Sequence, residues 1–321
     1  MSEIPKVSVL IICYNFRDFI AESIQSVLDQ DYPNLEIVVT DDASTDGSQD
    51  IILSLAKKDF RIVPVLSEKN KGLSGNWNQG AERCTGEYVA LLSGDDLMLP
   101  RKISRQVEYL KSNPKYSLCT HDMEVFDSKS GKRLYFFGDK FRMKPGGIEL
   151  ILATNWFFQK EIKSIPSSFL ARTDFFLAHQ FDPRLSFWNE RLHLIDCLAT
   201  SPKKWGHLNE VLGKYRTHEK QIHMSKKSSD LDFKESMKTL SIAAGRYPHL
   251  AKLLKKKRDF IYFQNLVFDW IKPEERDAFE QEFRREAGFL KWMYMKLCHI
   301  CLNNKIFFNS TKPLRNLIKK I

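Results

Sequence analysis

The first 120 residues alternate short apolar runs with longer stretches whose apolar positions recur at helical spacing. The runs at residues 7–12, 35–40, 61–67 and 88–92 are rich in Val, Ile and Leu, as strands buried on both faces are. Between them the spacing predicts helices. The first covers 18–30, with Phe19, Ile20, Ile24, Val27 and Leu28 on one face. The second covers about 45–57, with Thr45 or Asp46 as its cap. A third over 75–84 follows a glycine-rich turn, and a fourth over 100–112 starts at a proline. This alternation predicts an α/β fold with a mostly parallel, doubly wound sheet. The pattern then loosens into a strand at 117–126, a turn at 128–133 and an irregular stretch over 138–156. An extended segment at 166–171 and a helix at 192–199 follow, and beyond residue 224 the chain reads as helical and basic.

Two carboxylate pairs change this picture from architecture to chemistry. Asp41-Asp42 follows the second apolar run and Asp95-Asp96 follows the fourth. Ligands of open α/β sheets bind at the carboxyl ends of the strands. One Asp-Asp is usually a turn or a helix cap. Two in matching contexts predict a site for a divalent cation and a nucleotide.

Composition bounds the rest. With 321 residues, 43% hydrophobic, and a mean hydropathy of −0.37, the chain reads as globular, with room for a core domain and an appendage. No run approaches the roughly 18 apolar residues that span a bilayer. The polar start, Met1 to Lys6, resembles no signal peptide, so the expected compartment is the cytoplasm. Six cysteines are scattered, and the one CxxC pair, Cys298 and Cys301, lacks a second pair to complete a zinc site. All of the net charge of +10 falls at 225–321, where 21 Lys and Arg face 11 Asp and Glu; the first 224 residues hold 29 of each. The expected organisation is a catalytic domain at 1–224 and a helical basic region at 225–321.

The order of motifs is specific. It runs from the 7–15 strand ending in Tyr14-Asn15 to Asp41-Asp42-Ala43-Ser44, then Asn70-Lys71-Gly72, then Ser93-Gly94-Asp95-Asp96, and ends at Tyr215-Arg216-Thr217-His218. Over about residues 7–218 the sequence resembles family 2 of the inverting glycosyltransferases, which share the GT-A fold. The resemblance implies a UDP-sugar donor, a Mn²⁺ or Mg²⁺ ion and a glycan or lipid-linked glycan acceptor, in bacterial surface-polysaccharide assembly. Tyr14, Asn15, Asp41, Asp42, Asn70, Gly72, Asn78, Asp95 and Arg216 are the expected donor contacts. In this reading Asp42 accepts a hydrogen bond from the uracil imide, Arg216 clamps pyrophosphate, and Asp96 with His218 binds the metal. A bound cation neutralises the charge that develops on the leaving diphosphate. The family's extra acid two positions before Asp95 is here Ser93.

The catalytic base departs from the family pattern. Inversion needs a carboxylate to accept the acceptor hydroxyl's proton, and the family supplies it from an acidic pair opening a helix. Here Glu190 matches the first acid, and Arg191 stands in place of the second. Glu190 is the expected base, with Asp182 and Asp196 as alternatives and a catalytically impaired sugar-nucleotide-binding protein as a further reading. A sugar nucleotidyltransferase is the competing enzyme class, but residues 13–17 lack its glycine-rich phosphate loop. For the basic region the expected roles are packing, homo-oligomerisation or contact with an anionic membrane at the inner face of the cell. Trp292, Met293, Tyr294, Leu297 and Ile300, interleaved with lysines, carry that expectation. No nucleic-acid-binding module accompanies the charge.

Overall fold

The computed structural model describes residues 3–140, 145–153, 165–186, 188–219 and 228–267, together with five scattered residues between 280 and 288. The chain forms two compact units, one of residues 1–151 and 161–224 and one of 152–160 and 225–321.

Nine strands make one sheet in the first unit. Its first half follows the apolar runs. β1 (Val7–Cys13) lies between β2 (Leu35–Asp41) and β4 (Tyr88–Ser93), and β3 (Ile62–Leu66) flanks β2, all parallel. All seven residues of β1 and of β2 are buried, which is why neither shows polar alternation. The helices α1 (Ile20–Leu28), α2 (Ser48–Ala56) and α4 (Lys102–Ser112) send Ile24, Ile52, Ile103 and Leu110 against the face lined by Val9, Ile11, Ile37 and Leu92. Fully burying each such side chain contributes about 1.5–3 kcal/mol. The helix α3 (Gly72–Ala81) covers the opposite face, where Gly80 lies against Leu10 and Thr40. α2 begins at Ser48 with Gly47 (φ 93) as its N-cap in place of the expected Thr45 or Asp46; Asp46, one residue earlier, accepts the Ser48 backbone N–H at 3.0 Å.

The second half of the sheet is mixed. A short β5 (Leu97–Met98), the long β6 (Tyr116–Asp127), β7 (Arg133–Phe136), β8 (Leu170–Arg172) and β9 (Lys204–Thr217) complete it. β8 is antiparallel to both β4 and β6, β7 is antiparallel to β6, and β9 runs parallel to β6 and antiparallel to β5. The extended segment expected at 166–171 is a single turn of 3-10 helix, Pro166–Ser168, leading into β8. Short helices α5 (Phe137–Lys140), α6 (Ile148–Ala153) and α7 (Thr173–Phe176) precede α8 (Asn189–Thr200), which contains the expected helix at 192–199.

Register positions the site. Cys13 pairs with Asp41 and Ile12 with Ser93, so β1, β2 and β4 end at one level. Both carboxylate pairs therefore reach the same sheet edge. β9 then returns to that edge, with Leu97 opposite Lys214, which brings Arg216 and His218 to the turn after β4.

In the second unit, α9 (Ser228–Arg246) and α10 (Ala251–Val267) pack as a pair joined through Pro248–Leu250, burying Leu240, Ala243, Leu250 and Leu254. In the basic run at 255–258, Lys255 and Lys256 are exposed, while Lys257 is 4% exposed. The amphipathic segment expected around residues 292–300 lies outside the described residues. Among the described residues no helix is long and apolar enough to cross a membrane.

Candidate active site

The Asp41-Asp42 pair divides into two roles. Asp41 is fully buried, and its carboxylate accepts the Ser44 backbone N–H at 2.9 Å, the Ser44 hydroxyl at 2.5 Å and the Gln49 amide at 2.7 Å. It builds the β2–α2 turn, and its expected donor contact is not available. Asp42 lies at the start of α3, where Oδ1 accepts the Lys71 N–H at 2.7 Å and its carbonyl accepts the Asn70 amide at 3.2 Å. Burial raises its pKa despite those backbone N–H groups. Asn70 also accepts the Gly72 N–H at 3.0 Å. Gly72 has φ +73 with open space where a Cβ would stand, so the glycine answers to backbone conformation and not to close approach.

Asn15 belongs to the scaffold as well. In a left-handed conformation (φ 57), it donates its N–H to Ser44 Oγ at 2.8 Å and accepts the Thr45 N–H at 2.9 Å. It clips the loop after β1 to the loop after β2. Tyr14 beside it is 47% exposed and leaves an open ring at the sheet edge.

At the second pair the two carboxylates have different partners. Asp96 is 1% exposed; Oδ2 accepts the Ser167 hydroxyl at 2.6 Å and Oδ1 accepts the Arg216 backbone N–H at 3.0 Å. Burial, and then repulsion from Asp95, holds its carboxyl well above the usual range. Asp95 faces the imidazole instead, with Oδ2 at 3.0 Å from His218 Nε2, and it accepts the Ser93 hydroxyl. Asp95 and His218 thus face each other at the sheet edge, and Asp96 is the carboxylate that fixes the turn beneath them. The guanidinium of Arg216 donates to the Asp95 carbonyl at 2.7 Å and to Glu22 at 2.6 Å, between the rings of Phe19 and Phe126, each at 4.8 Å. At 6% exposure it pins the Asp95–Asp96 turn, and the expected clamp on pyrophosphate has no free fork to act with.

Asp95 and His218 are two side chains of ligand type that would supply two ligands. Among the described residues, no group of three or more His, Cys, Asp or Glu side chains is arranged to hold a metal ion. Such an incomplete set fits Mg²⁺ or Mn²⁺, which are held by one or two protein groups and complete their shell with water and substrate phosphates.

The candidate base sits on a segment docked to α3. The Asn78 amide donates to the Phe181 carbonyl at 2.9 Å and accepts the Phe181 N–H at 2.8 Å. Ser74 donates to the carbonyls of Asp182 and Leu185, and the buried Asn189 donates to Ser74 at 3.0 Å. Asn78 thus anchors this segment, in place of its expected donor contact. Glu190, second residue of α8, is half-buried, and desolvation pushes its pKa up to about 7. Asp182 is held by the Arg184 guanidinium at 2.6 and 2.9 Å, and Asp196 is fully buried, so Glu190 is the accessible carboxylate of the three. The Arg191 guanidinium lies over the Trp188 ring at 3.8 Å. Tyr215, half-buried on β9, lies within electrostatic reach of Asp95, Asp96 and Glu190.

Sequence reasoning missed Ser167, Ser74, Asn189 and Tyr215. Tyr215 lies within the Tyr215–His218 motif, and that proximity was the available signal; the partner of Ser167 is 71 residues away. The roles of Ser74 and Asn189 were not legible, because their partners are more than 100 residues away.

Known proteins resemble this chain. The model of glycosyl transferase family 2 matches residues 8–165. The uncharacterized glycosyltransferase alr2836 of Nostoc sp. is 31% identical over 229 residues, covering 70% of this chain and 68% of that protein. The Escherichia coli UDP-Glc:alpha-D-GlcNAc-diphosphoundecaprenol beta-1,3-glucosyltransferase WfaP is 38% identical over 106 residues, 33% of this chain and 41% of WfaP. The chain spans about half the length of two Bacillus subtilis relatives that it matches at 40% and 42% identity, 46% and 51% of them. Among solved structures, Staphylococcus aureus TarS 1–349 in complex with UDP-GlcNAc superposes with a TM-score of 0.67 at 16% identity, over 92% of this chain and 88% of that one. The Pyrobaculum calidifontis mannosyltransferase PcManGT, in complex with GDP-Man and Mn²⁺, gives a TM-score of 0.58 at 18% identity, over 98% and 84%. These likenesses give the fold as GT-A. By its motifs, its fold and its relatives, the chain belongs to glycosyltransferase family 2.

Proposed function

We propose that this glycosyltransferase moves a hexose or N-acetylhexosamine from a UDP-sugar to a hydroxyl of a glycan, inverting the anomeric carbon, and that it depends on Mn²⁺ or Mg²⁺. The observation that carries this reading is the Asp95–His218 pair at 3.0 Å on the sheet edge that also bears Asp42. Asp42 accepts the base imide, with Tyr14 beside it. Asp95 and His218 hold the ion, which, when bound, neutralises the charge of the departing diphosphate. Glu190 takes the proton of the acceptor hydroxyl as that oxygen attacks the sugar from the face opposite the diphosphate. Its pKa of about 7 suits a base at neutral pH.

The acceptor reading, a lipid-linked glycan in surface-polysaccharide synthesis, draws on WfaP, whose name specifies a diphosphoundecaprenol-linked substrate. On that reading the enzyme works at the inner face of the cell membrane, and the basic 225–321 region meets anionic lipid or a second copy of the chain. A second reading, a nucleotide-binding protein without transferase turnover, is favoured by Arg191 where the family carries its acid. Calorimetric titration of UDP with and without Mn²⁺, on wild type and Asp95→Ala, tests the donor site. The expected result is Mn²⁺-dependent UDP binding that the variant loses. Absence of UDP binding in wild type under either metal condition overturns the UDP assignment. Turnover of a UDP-sugar panel then separates transferase from binding protein.

A further inference from the structure

The helix α1 opens on a residue that helix formation does not ask for. Phe19 occupies its N-cap and makes no side-chain cap. Ser, Thr, Asp and Asn are preferred there, because their side chains accept a backbone N–H that the helix leaves unpaired. Phe19 also stands outside the core cluster that takes Ile20, Ile24 and Val27. Its ring meets the end of β9 instead. The His218 imidazole lies 4.8 Å from it, centroid to centroid, tilted by 39°, and the Arg216 guanidinium lies 4.8 Å from its centre. Glu22, three residues on and so on the same side of the helix, pairs with Arg216 at 2.6 Å. Phe16 adds a second ring contact to the imidazole, edge-on at 87° with centroids 6.2 Å apart. Phe16 packs in turn on Gly94, the residue before Asp95, where an added Cβ would stand 3.2 Å from its ring.

These contacts bear on one torsion. The last torsion of a histidine is broad and roughly two-fold, and a half-turn about it exchanges Nε2 with a ring carbon. Here Nε2 lies 3.0 Å from Asp95 Oδ2, with the His218 and Asp95 side chains 7% and 8% exposed. Groups that fix the orientation of a metal-binding histidine matter to the metal: losing one typically costs about 10–100-fold in affinity. Aromatic packing constrains the same torsion sterically, through a flat face that an aliphatic side chain does not reproduce. Sequences that break a local rule, as a phenylalanine at an N-cap does, do so at functional sites.

We propose that Phe19 is a positioning residue of the donor site, its ring holding the His218 imidazole with Nε2 toward Asp95. The inference rests on the reading above in which Asp95 and His218 hold the ion. Its test is calorimetry of UDP with and without Mn²⁺ on wild type, Phe19→Leu, Phe19→Tyr and His218→Ala, with thermal unfolding of each. The expected result has two parts. Phe19→Leu loses at least tenfold of the Mn²⁺-dependent gain in UDP affinity while its metal-free UDP binding is unchanged. Phe19→Tyr, which restores the ring, keeps the gain. A wild-type gain in Phe19→Leu overturns the inference and leaves the donor-site reading standing, and so does a loss in Phe19→Tyr equal to that in Phe19→Leu. Loss of UDP binding with and without metal, together with a fall in Tm, assigns Phe19 a structural role and also overturns it. A full Mn²⁺-dependent gain in His218→Ala, or wild type that shows none, removes the metal-site reading, and the inference with it.

Discussion

At the scale of single residues, adjacent carboxylates have opposite duties. Asp95 faces His218, and Asp96 is consumed by Ser167 and the Arg216 backbone. Asp96→Ala strands a buried hydroxyl and a buried N–H, which costs about 1–3 kcal/mol. Thermal unfolding is expected to show a lowered Tm for Asp96→Ala. Glu190 gives a pH prediction. A general base acts only when deprotonated, so with a pKa of about 7 the transfer rate rises through neutral pH and levels above it. Glu190→Gln removes that limb and the transfer while UDP binding stays, which kcat/KM profiles and calorimetry will show. The stability consequence has the opposite sign. Because folding raises this pKa above the ordinary value of 4.5, the protonated form favours the fold. That contribution is present below pH 4.5 and is lost as pH rises through about 7.

At the scale of elements, α3 is the hinge of the site. Its N-terminus receives Asp42, and its side chains Ser74 and Asn78 hold the segment that delivers Glu190. Asn78→Ala removes two hydrogen bonds to Phe181 and strands its backbone groups, a cost of about 1–3 kcal/mol. The expected outcome is a Tm lower by a few degrees and a reduced kcat with the UDP affinity of wild type. Equal losses in kcat and in UDP affinity would argue against separate donor and base duties. The strand β9 was not legible in the sequence, whereas β1, β2 and β4 were. Buried parallel strands are marked by unbroken apolar runs. β9 mixes buried and half-buried positions without a period of two, and its pairing with β6 is interrupted by register shifts.

At the scale of the molecule, charge is segregated. The first 224 residues are neutral and the remaining 97 carry +10. Attraction of such a region to anionic lipid is screened over about a Debye length, ~10 Å at 0.1 M salt. If it binds membrane, the full chain co-sediments with vesicles containing anionic phospholipid at low salt and is released at high salt. Pelleting that is insensitive to salt, or absent, assigns the basic excess to solvated helix faces, of which Lys255 and Lys256 are exposed examples.

The sequence by itself determined the alternation of strands and helices and the sheet edge to which both carboxylate pairs belong. Each is written in local periodicity or in motif spacing, which need no knowledge of distant contacts. Only the tertiary structure decided which partners each acid of each pair bonds. Asp41 and Asp96 are spent on hydrogen bonds, and Asn15, Asn78 and Arg216 turned from expected ligands into struts. The physical reason is that a polar side chain buried at a crowded edge must bond whatever donor the fold brings beside it. For Asp96 that donor is Ser167, 71 residues away, and for the Asp95 carbonyl it is Arg216, 121 residues away.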